Sequence, residues 1–442
     1  MKSGPRGHRP SVPAREGNPP DPPAPRVGLF GLLGAGNIGN DASMQAVLDY
    51  LRADHPDAIV DAMCPGPDRL RREYGIEGTA LHWHHPLEQR APGPLAAALK
   101  VLGKGVDAVR TASWVRRHDV IIVPGMGVLE ASLPIRPWET PYAMFLLSAS
   151  GKLFGTKVAL VSVGANLISQ RATRWLFDMA ARLAYYRSYR DERSKEAMRQ
   201  RGLDVSADPV YPDLVFALPA PPYDPGDPQL VGMGVMEYYG TNDDRDQADG
   251  VHASYVRNMQ AFARWLVDGG RRIRLLVGDT CDASMVDEII TDLRAYRPDL
   301  GPDWVVAEPV TSYADLTRGM YGAGAVVATR FHNVMCALKL GKPTISLGYA
   351  PKNISLMEDM GQAEFIQSAN ALDVGRLIEQ FTEAERRSAQ LRAVMAERAA
   401  ANAQLLDQQF ARLSELLFSG GAAPLRRPAV SSPSGTTAAG ER

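Results

Sequence analysis

Along most of this chain, short apolar runs alternate with segments whose apolar residues recur at helical spacing. Val27–Leu33, Ala58–Met63, Val120–Val123, Val158–Val163 and Val210–Tyr211 read as strands. Between them, Ala42–Ala53, Arg171–Arg187 and Glu192–Arg201 read as helices. Strands separated by helices in this way predict a parallel, doubly wound α/β sheet. Five prolines between Ala217 and Pro228, with Asp and Gly among them, predict a linker. The alternation then resumes, with strands at Leu230–Met236, Arg274–Val277, Val305–Ala307, Ala325–Ala328 and Thr344–Leu347. Helices fit Val251–Asp268, Ala283–Tyr296, Tyr313–Tyr321 and His332–Leu340, and Thr382–Leu417 reads as one or two long helices.

The expected organisation is two α/β domains, residues 26–220 and 229–380, facing a cleft, with helices over 381–419. A chain of 442 residues fits two cores better than one. Residues 1–25, with eight prolines, and the small-residue end over 420–442 are expected to be disordered tails. The formal charge of −1 argues against a nucleic-acid partner, which would need a surplus of Lys and Arg. Cys64, Cys281 and Cys336 lie far apart without C-x-x-C spacing, so neither disulfides nor structural zinc is expected. No apolar run reaches the roughly 18 residues of a membrane span. The nearest, Ala143–Gly164, is broken by Lys152, Gly155 and Lys157. A cytoplasmic location follows as the expectation.

Four places carry candidate chemistry. Gly34-Ala35-Gly36-Asn37-Ile38-Gly39 follows the first strand in G-x-G-x-x-G spacing, with Asp61 in the second strand. Glycines there let a phosphate approach backbone amides at a helix start, which makes a nicotinamide cofactor one reading. The continuation Asn40-Asp41 is polar where a dinucleotide site places small apolar residues. Those residues either meet a hydroxylated ligand or cap the helix at Asp41. Gly125-Met126-Gly127 follows the strand ending at Val123, and Ser162–Asn166 repeats the design. Both are tight turns or a cleft floor kept free of side chains. Arg190, before Asp191 and Glu192, is either a solvated residue or a ligand contact. The strand Gly324–Thr329 runs into Arg330-Phe331-His332 and a helix closed by Gly341. A strand end meeting a helix start favours an anion, and Lys352 follows the next strand on the same edge. The competing reading is an Arg paired with an acid and a His capping a loop.

Together the Gly-x-Gly-Asn-Ile-Gly loop, Arg190-Asp191, and Arg330-Phe331-His332 with Lys352 resemble the polysaccharide pyruvyltransferase family over about residues 27–370. The resemblance implies two Rossmann-like domains in a GT-B-like arrangement. It also implies transfer of pyruvate from phosphoenolpyruvate onto two hydroxyls of a sugar, either a polysaccharide or a lipid-linked saccharide, to form a ketal. Arg190, Arg330 and Lys352 then match the family's donor-binding cations and His332 its Arg-x-His histidine. Gly36, Asn37, Gly39, Asn40, Asp41, Gly125 and Gly127 fall to the acceptor side of the cleft. The chain departs from the family at Asn40-Asp41, where an acid usually follows the last glycine directly, and in its short second glycine loop.

Three cations suit a donor with a carboxylate and a phosphate. His332 is the expected acid for the donor's methylene carbon. Neighbouring cations should lower its pKa in the empty site and an arriving phosphate should raise it. Asp41, Asp213 and Glu237 are the candidate bases. No cofactor and no metal are expected; His82-Trp83-His84-His85 reads as a surface loop. The alternatives are a nicotinamide-dependent oxidoreductase, a nucleotide-sugar glycosyltransferase, and a non-enzymatic anion- or sugar-binding protein. A helix over Leu95–Arg110, with Lys100, Lys104 and Arg110, offers a peripheral membrane contact, although a solvated face is the simpler reading.

Overall fold

The computed structural model describes residues 24–83, 93–131, 135–307 and 309–418. The expectations for the two tails, and for His84 and His85, therefore fall outside the described residues. The first half is a sheet of six parallel strands: β1 (Arg26–Phe30), β2 (Ile59–Cys64), β3 (Glu77–Ala80), β4 (Val120–Pro124), β5 (Lys157–Val163) and β6 (Tyr186–Tyr189). They lie in the order β3-β2-β1-β4-β5-β6. The second half holds β7 (Asp227–Gly234), β8 (Arg272–Leu276), β9 (Val305–Ala307), β10 (Ala323–Ala328), β11 (Thr344–Gly348) and β12 (Ile366–Ser368). Their order, β12-β11-β10-β7-β8-β9, is the same winding repeated. Both sheets are thus Rossmann-like.

Central strands such as β4 and β10 are apolar along their length because helices cover both faces of the sheet. Each such Val, Ile or Leu contributes roughly 1.5–3 kcal/mol when fully buried. On the first sheet α1 (Ile38–Asp54) and α2 (Pro67–Tyr74) make the first two crossovers. The helices α3 (Gly93–Val115), α4 (Thr140–Phe154) and α5 (Arg171–Leu183) pack side by side as a separate layer. The short helix α6 (Glu192–Gln200) follows β6. On the second sheet lie α7 (Ala248–Asp268), α8 (Ala283–Tyr296), α9 (Tyr313–Tyr321), α10 (Phe331–Lys339) and α11 (Pro351–Asp359).

Two expectations need correction, and two strands are added. The helix over Arg171–Arg187 stops at Leu183, and Tyr186–Tyr189 becomes the edge strand β6. Val210–Tyr211 is no strand of the sheet; Val210 makes only an isolated bridge to Tyr189. The edge strands β3 and β12 went unrecognised because short edges lack a continuous apolar run.

The terminal helices are α12 (Val374–Arg386) and α13 (Ser388–Leu413). The second of these crosses back to the first sheet. Gln409 accepts a hydrogen bond from the Ser162 hydroxyl at 3.0 Å and donates to the Ser188 hydroxyl at 2.9 Å, all three side chains being buried. Lys157 donates to the carbonyl of Leu416 at 3.0 Å. The chain end therefore ties the two halves together.

Candidate functional site

The carboxyl ends of the two sheets face each other, and the glycine loop after β1 is one of the places where the halves touch. Asn37 is the N-cap of α1, accepting from the Asn40 amide at 3.2 Å. Its own amide donates to Asp279 across the interface at 3.2 Å, and the Ile38 amide donates to the Gly278 carbonyl. A methyl group on Gly36 would lie 2.6 Å from the Thr280 hydroxyl. One on Gly39 would lie 1.8 Å from Nδ1 of His332. These two glycines are small so that the second half can approach, not so that a pyrophosphate can.

The same loop leaves little for a cofactor. Asp41 sits inside α1 rather than capping it, and its carboxylate accepts from the Gly34 amide at 2.7 Å. The Asn40 side chain donates to the Leu32 carbonyl at 3.2 Å. Asp61 accepts from the Trp114 indole at 2.8 Å and pairs with His118 at 3.1 Å, so it is committed to the helix layer and not to a ribose. The nicotinamide reading fails on both counts.

Burial pushes the Asp41 carboxyl up to about 6, against help from the Gly34 amide and Arg69. Its second oxygen has no hydrogen-bond partner among the described residues. The folded state thus holds a proton more tightly than the unfolded one, and the ionised group costs stability above pH 6. That cost fades as pH falls from about 6 toward 3.8. Asp41→Asn is expected to raise stability at pH 7.5 by up to about 3 kcal/mol, and much less at pH 4.5. Denaturant melts at the two pH values check this; equal gains at both would contradict it.

On the second half, Arg330 follows β10 as the N-cap residue of α10. Its guanidinium is locked on the fully buried Asp282, Nε to Oδ2 at 2.9 Å and Nη2 to Oδ1 at 2.6 Å. Asp282 also accepts from the amides of Glu237 and Asp279. The competing reading of Arg330 as an arginine paired with an acid therefore holds for its guanidinium, and the acid comes from the same half of the molecule.

His332, in the first turn of α10, is almost fully enclosed. Burial, then the charges of Arg190 and Lys352, push its pKa down to about 4, while Asp213 and Glu130 pull the other way. The ring is neutral at pH 7. Its Nε2 lies 3.8 Å from Asp213, too far for a hydrogen bond, and both atoms lack a hydrogen-bond partner among the described residues.

Arg190 follows β6 at the floor of the cleft, with its side chain 2% exposed. It forms a close ion pair with Glu130 and lies 3.7 Å from both Asp191 and Asp213. Its guanidinium also stacks 4.7 Å above the ring of Phe331 from the other half. Lys352, in the first turn of α11, donates to the other oxygen of Glu130 at 3.2 Å. Burial would lower the Lys352 and Arg190 values, but Glu130 and Tyr349, joined at Arg190 by Asp213 and Asp191, together outweigh it and raise both. Burial would raise Glu130, but Arg190 and Lys352 hold it below the usual carboxylate range.

Glu130 is thus the residue of the candidate site that sequence reasoning missed. It bridges the two cations expected to bind an anion. Gly127 is beside it, for a methyl there would lie 2.6 Å from the Glu130 carboxylate. Gly125, at φ 58°, turns the chain at the end of β4 and packs on Ser43, a turn role rather than a ligand one. Of the candidate bases, only Asp213 adjoins His332. Glu237 instead accepts from Tyr239 and Ser284.

A cavity of about 180 Å³ opens between the halves, lined by Asn166, Leu167, Ile168, Tyr349, Ala350 and Pro351 among others. A narrower extension shares Asn166, Ala350 and Pro351 and reaches Glu130 and Lys352. No group of three or more His, Cys, Asp or Glu among the described residues is arranged to hold a metal ion.

The family model for polysaccharide pyruvyl transferase matches residues 37–351. No curated protein matches the chain in sequence. Among solved structures, the chain is similar to HepE of Anabaena in complex with UDP-glucose, at 13% identity and a TM-score of 0.56, over 88% of this chain and 99% of that one. It is also similar to the UDP-GlcNAc 2-epimerase of Neisseria meningitidis bound to UDP-GlcNAc, at 11% identity and a TM-score of 0.55, over 88% and 99%. At such identities the likeness speaks for the two-domain GT-B fold alone.

Proposed function

This chain belongs to the polysaccharide pyruvyl transferase family, and we propose that it moves pyruvate from phosphoenolpyruvate onto two hydroxyls of a saccharide, forming a ketal. One observation carries the reading: Arg190 and Lys352, from opposite halves, share the buried Glu130 beside an unpartnered His332 Nε2. Glu130 occupies the position an anionic donor would take between those cations. When the donor's carboxylate or phosphate displaces it, Arg190 supplies a planar fork and Lys352 a compact charge. Arg330, fixed by Asp282, contributes its remaining edge and the start of α10 to the same anion.

Donor phosphate near His332 raises the ring's pKa, so donor binding itself charges the acid. His332 then gives its proton to the methylene carbon, leaving C2 electron-poor. A sugar hydroxyl attacks C2, the C2–O bond to phosphate breaks, and a second hydroxyl closes the ketal. Of the two hydroxyl protons, one restores His332 and the other leaves on phosphate. The charge of Asp213, 3.8 Å from Nε2, stabilises the protonated ring. The displaced Glu130, at the inner end of the cavity, is the base that takes the second of these hydroxyl protons and passes it to the departing phosphate. We assign the reaction to the cytoplasm as an expectation; separately, no described helix is long and apolar enough to cross a membrane.

The cavity lined by Asn166 and Tyr349, about 180 Å³, is small beside the roughly 300 Å³ at which sites for drug-sized ligands begin, so a nucleotide sugar would extend beyond it. A binding protein without chemistry would have no use for an enclosed histidine whose Nε2 lacks a hydrogen-bond partner among the described residues.

Phosphate release from phosphoenolpyruvate, across a panel of saccharide acceptors, tests the proposal with wild type and His332→Ala. Release with at least one acceptor, lost by about a thousandfold in the variant while donor binding persists, is the expected result. Donor bound without turnover on any acceptor would favour the binding-protein reading. Glu130→Gln separates two roles: the donor Kd should fall roughly tenfold as the internal competitor is lost, while kcat also falls. An unchanged donor Kd would remove Glu130 from the donor's place.

A further inference from the structure

The layer of α3, α4 and α5 on the first half is built unlike the rest of the surface. Fifteen large apolar side chains among the described residues are exposed, and eight of them lie between residues 102 and 185. Leu102 and Val109 stand out from α3, Leu153 and Phe154 from the end of α4, and Trp175 from the second turn of α5. Trp138, 62% exposed, precedes α4 and stacks edge-on with Tyr142, while Phe145 packs against Trp175. The Tyr142 hydroxyl donates to the Lys104 carbonyl, joining α4 to α3. The result is an aromatic ridge running across the layer.

Its charge is as biased as its apolar surface. Residues 93–185 hold eleven Lys and Arg against five Asp and Glu, in a chain whose formal charge is −1. Counting only exposed side chains, Arg116, Arg117, Arg136, Lys152, Arg171, Arg174 and Arg182 face Asp119 and Glu139. A helical surface with protruding Trp, Phe and Leu among Arg and Lys is suited to the boundary between headgroups and acyl chains of an anionic bilayer. Trp is matched to that boundary because one edge is apolar and the other carries a donor. A neutral glycan would use the aromatic rings but would gain nothing from the surplus of cations.

We propose that this layer docks the protein on an anionic phospholipid surface. Leu167 belongs both to the exposed set and to the cavity wall, and α5 begins just beyond, so the docked face leads to the cleft mouth. A saccharide carried on a membrane lipid would then enter the cleft without leaving the surface. The docking stands on its own observations and holds whether or not the cleft transfers pyruvate.

The full chain is mixed with vesicles of phosphatidylcholine alone and with 30% phosphatidylglycerol, on the order of composition that gives an anionic surface. Sedimentation should show at least tenfold tighter binding to the anionic vesicles, weakening as salt rises. The pair Trp138→Ser and Trp175→Ser, and separately the pair Arg171→Glu and Arg174→Glu, should each lose that binding with the thermal melt unchanged. If either pair unfolds the chain, quenching of wild-type tryptophan emission by brominated lipid replaces it. Absence of vesicle binding at low salt, equal binding of the two vesicle types, or variants that bind like wild type would overturn the proposal. Capture by a neutral soluble glycan, with vesicles ignored, would also overturn it.

Discussion

Arg190→Ala is expected to abolish turnover and to weaken the fold at the same time. The side chain is enclosed, and three carboxylates, Glu130, Asp191 and Asp213, lie around it. Removing the guanidinium strands at least Glu130 as a buried charge with only Lys352 left to balance it. Breaking a buried pair from one side costs about 3–5 kcal/mol. Denaturant melts at pH 7 should show that loss, and phosphate release should fall by about a thousandfold or more. Arg190→Lys divides the two effects. It restores a charge near Glu130, so most of the stability should return, but a point charge cannot replace the fork over Phe331. Activity should remain down by about a hundredfold. A lysine variant with full activity would mean that Arg190 acts only as a counter-charge.

Gly39→Ala is the second large effect, and its sign makes it informative. Gly39 is the second residue of α1, and alanine there favours helix by about 1 kcal/mol. If the glycine served only the first half, the variant would be slightly more stable. Instead its methyl would overlap His332 of the other half, 1.8 Å from Nδ1. Something must shift, either the ring out of its pocket or the two halves apart. Activity should fall at least a hundredfold in the order-of-magnitude sense that small misplacements of catalytic groups cost that much. Solution scattering should show a larger radius of gyration if the halves separate. A variant with normal turnover would place the Gly39–His332 contact outside the working state of the enzyme.

That contact also explains where the sequence was readable. The strand–helix alternation and the Pro-rich break before residue 229 pointed to two doubly wound sheets, because buried parallel strands must be apolar throughout. The edge strand β3, Glu77–Ala80, escaped for the opposite reason: it has no fully buried residue to mark it. The glycine spacing after β1 was visible, but its purpose was not, since a dinucleotide and a neighbouring domain both ask for backbone without side chains. Only the fold separates them, by placing Thr280 and His332 where a phosphate would have to lie.

The candidate site was half legible. Arg190, Arg330, His332 and Lys352 stand at strand ends or helix starts, and strand ends were identifiable. Their counter-charges were not. Asp282 pairs with Arg330 across 48 residues, and Glu130 pairs with Lys352 across 222. Neither acid belongs to a local motif. The available signal for Glu130 was faint: it is the lone charge in the otherwise apolar stretch from Val120 to Ala131.

The central claim is that donor binding turns His332 from a neutral, enclosed ring into the acid. Histidine-selective NMR, following the His332 ring in the presence and absence of phosphoenolpyruvate, tests it most directly. In the free protein the ring should stay neutral until pH falls to about 4. With the donor bound it should take its proton near or above the ordinary histidine value of about 6.5. A ring that titrates at the same pH with saturating donor as without it would contradict the account.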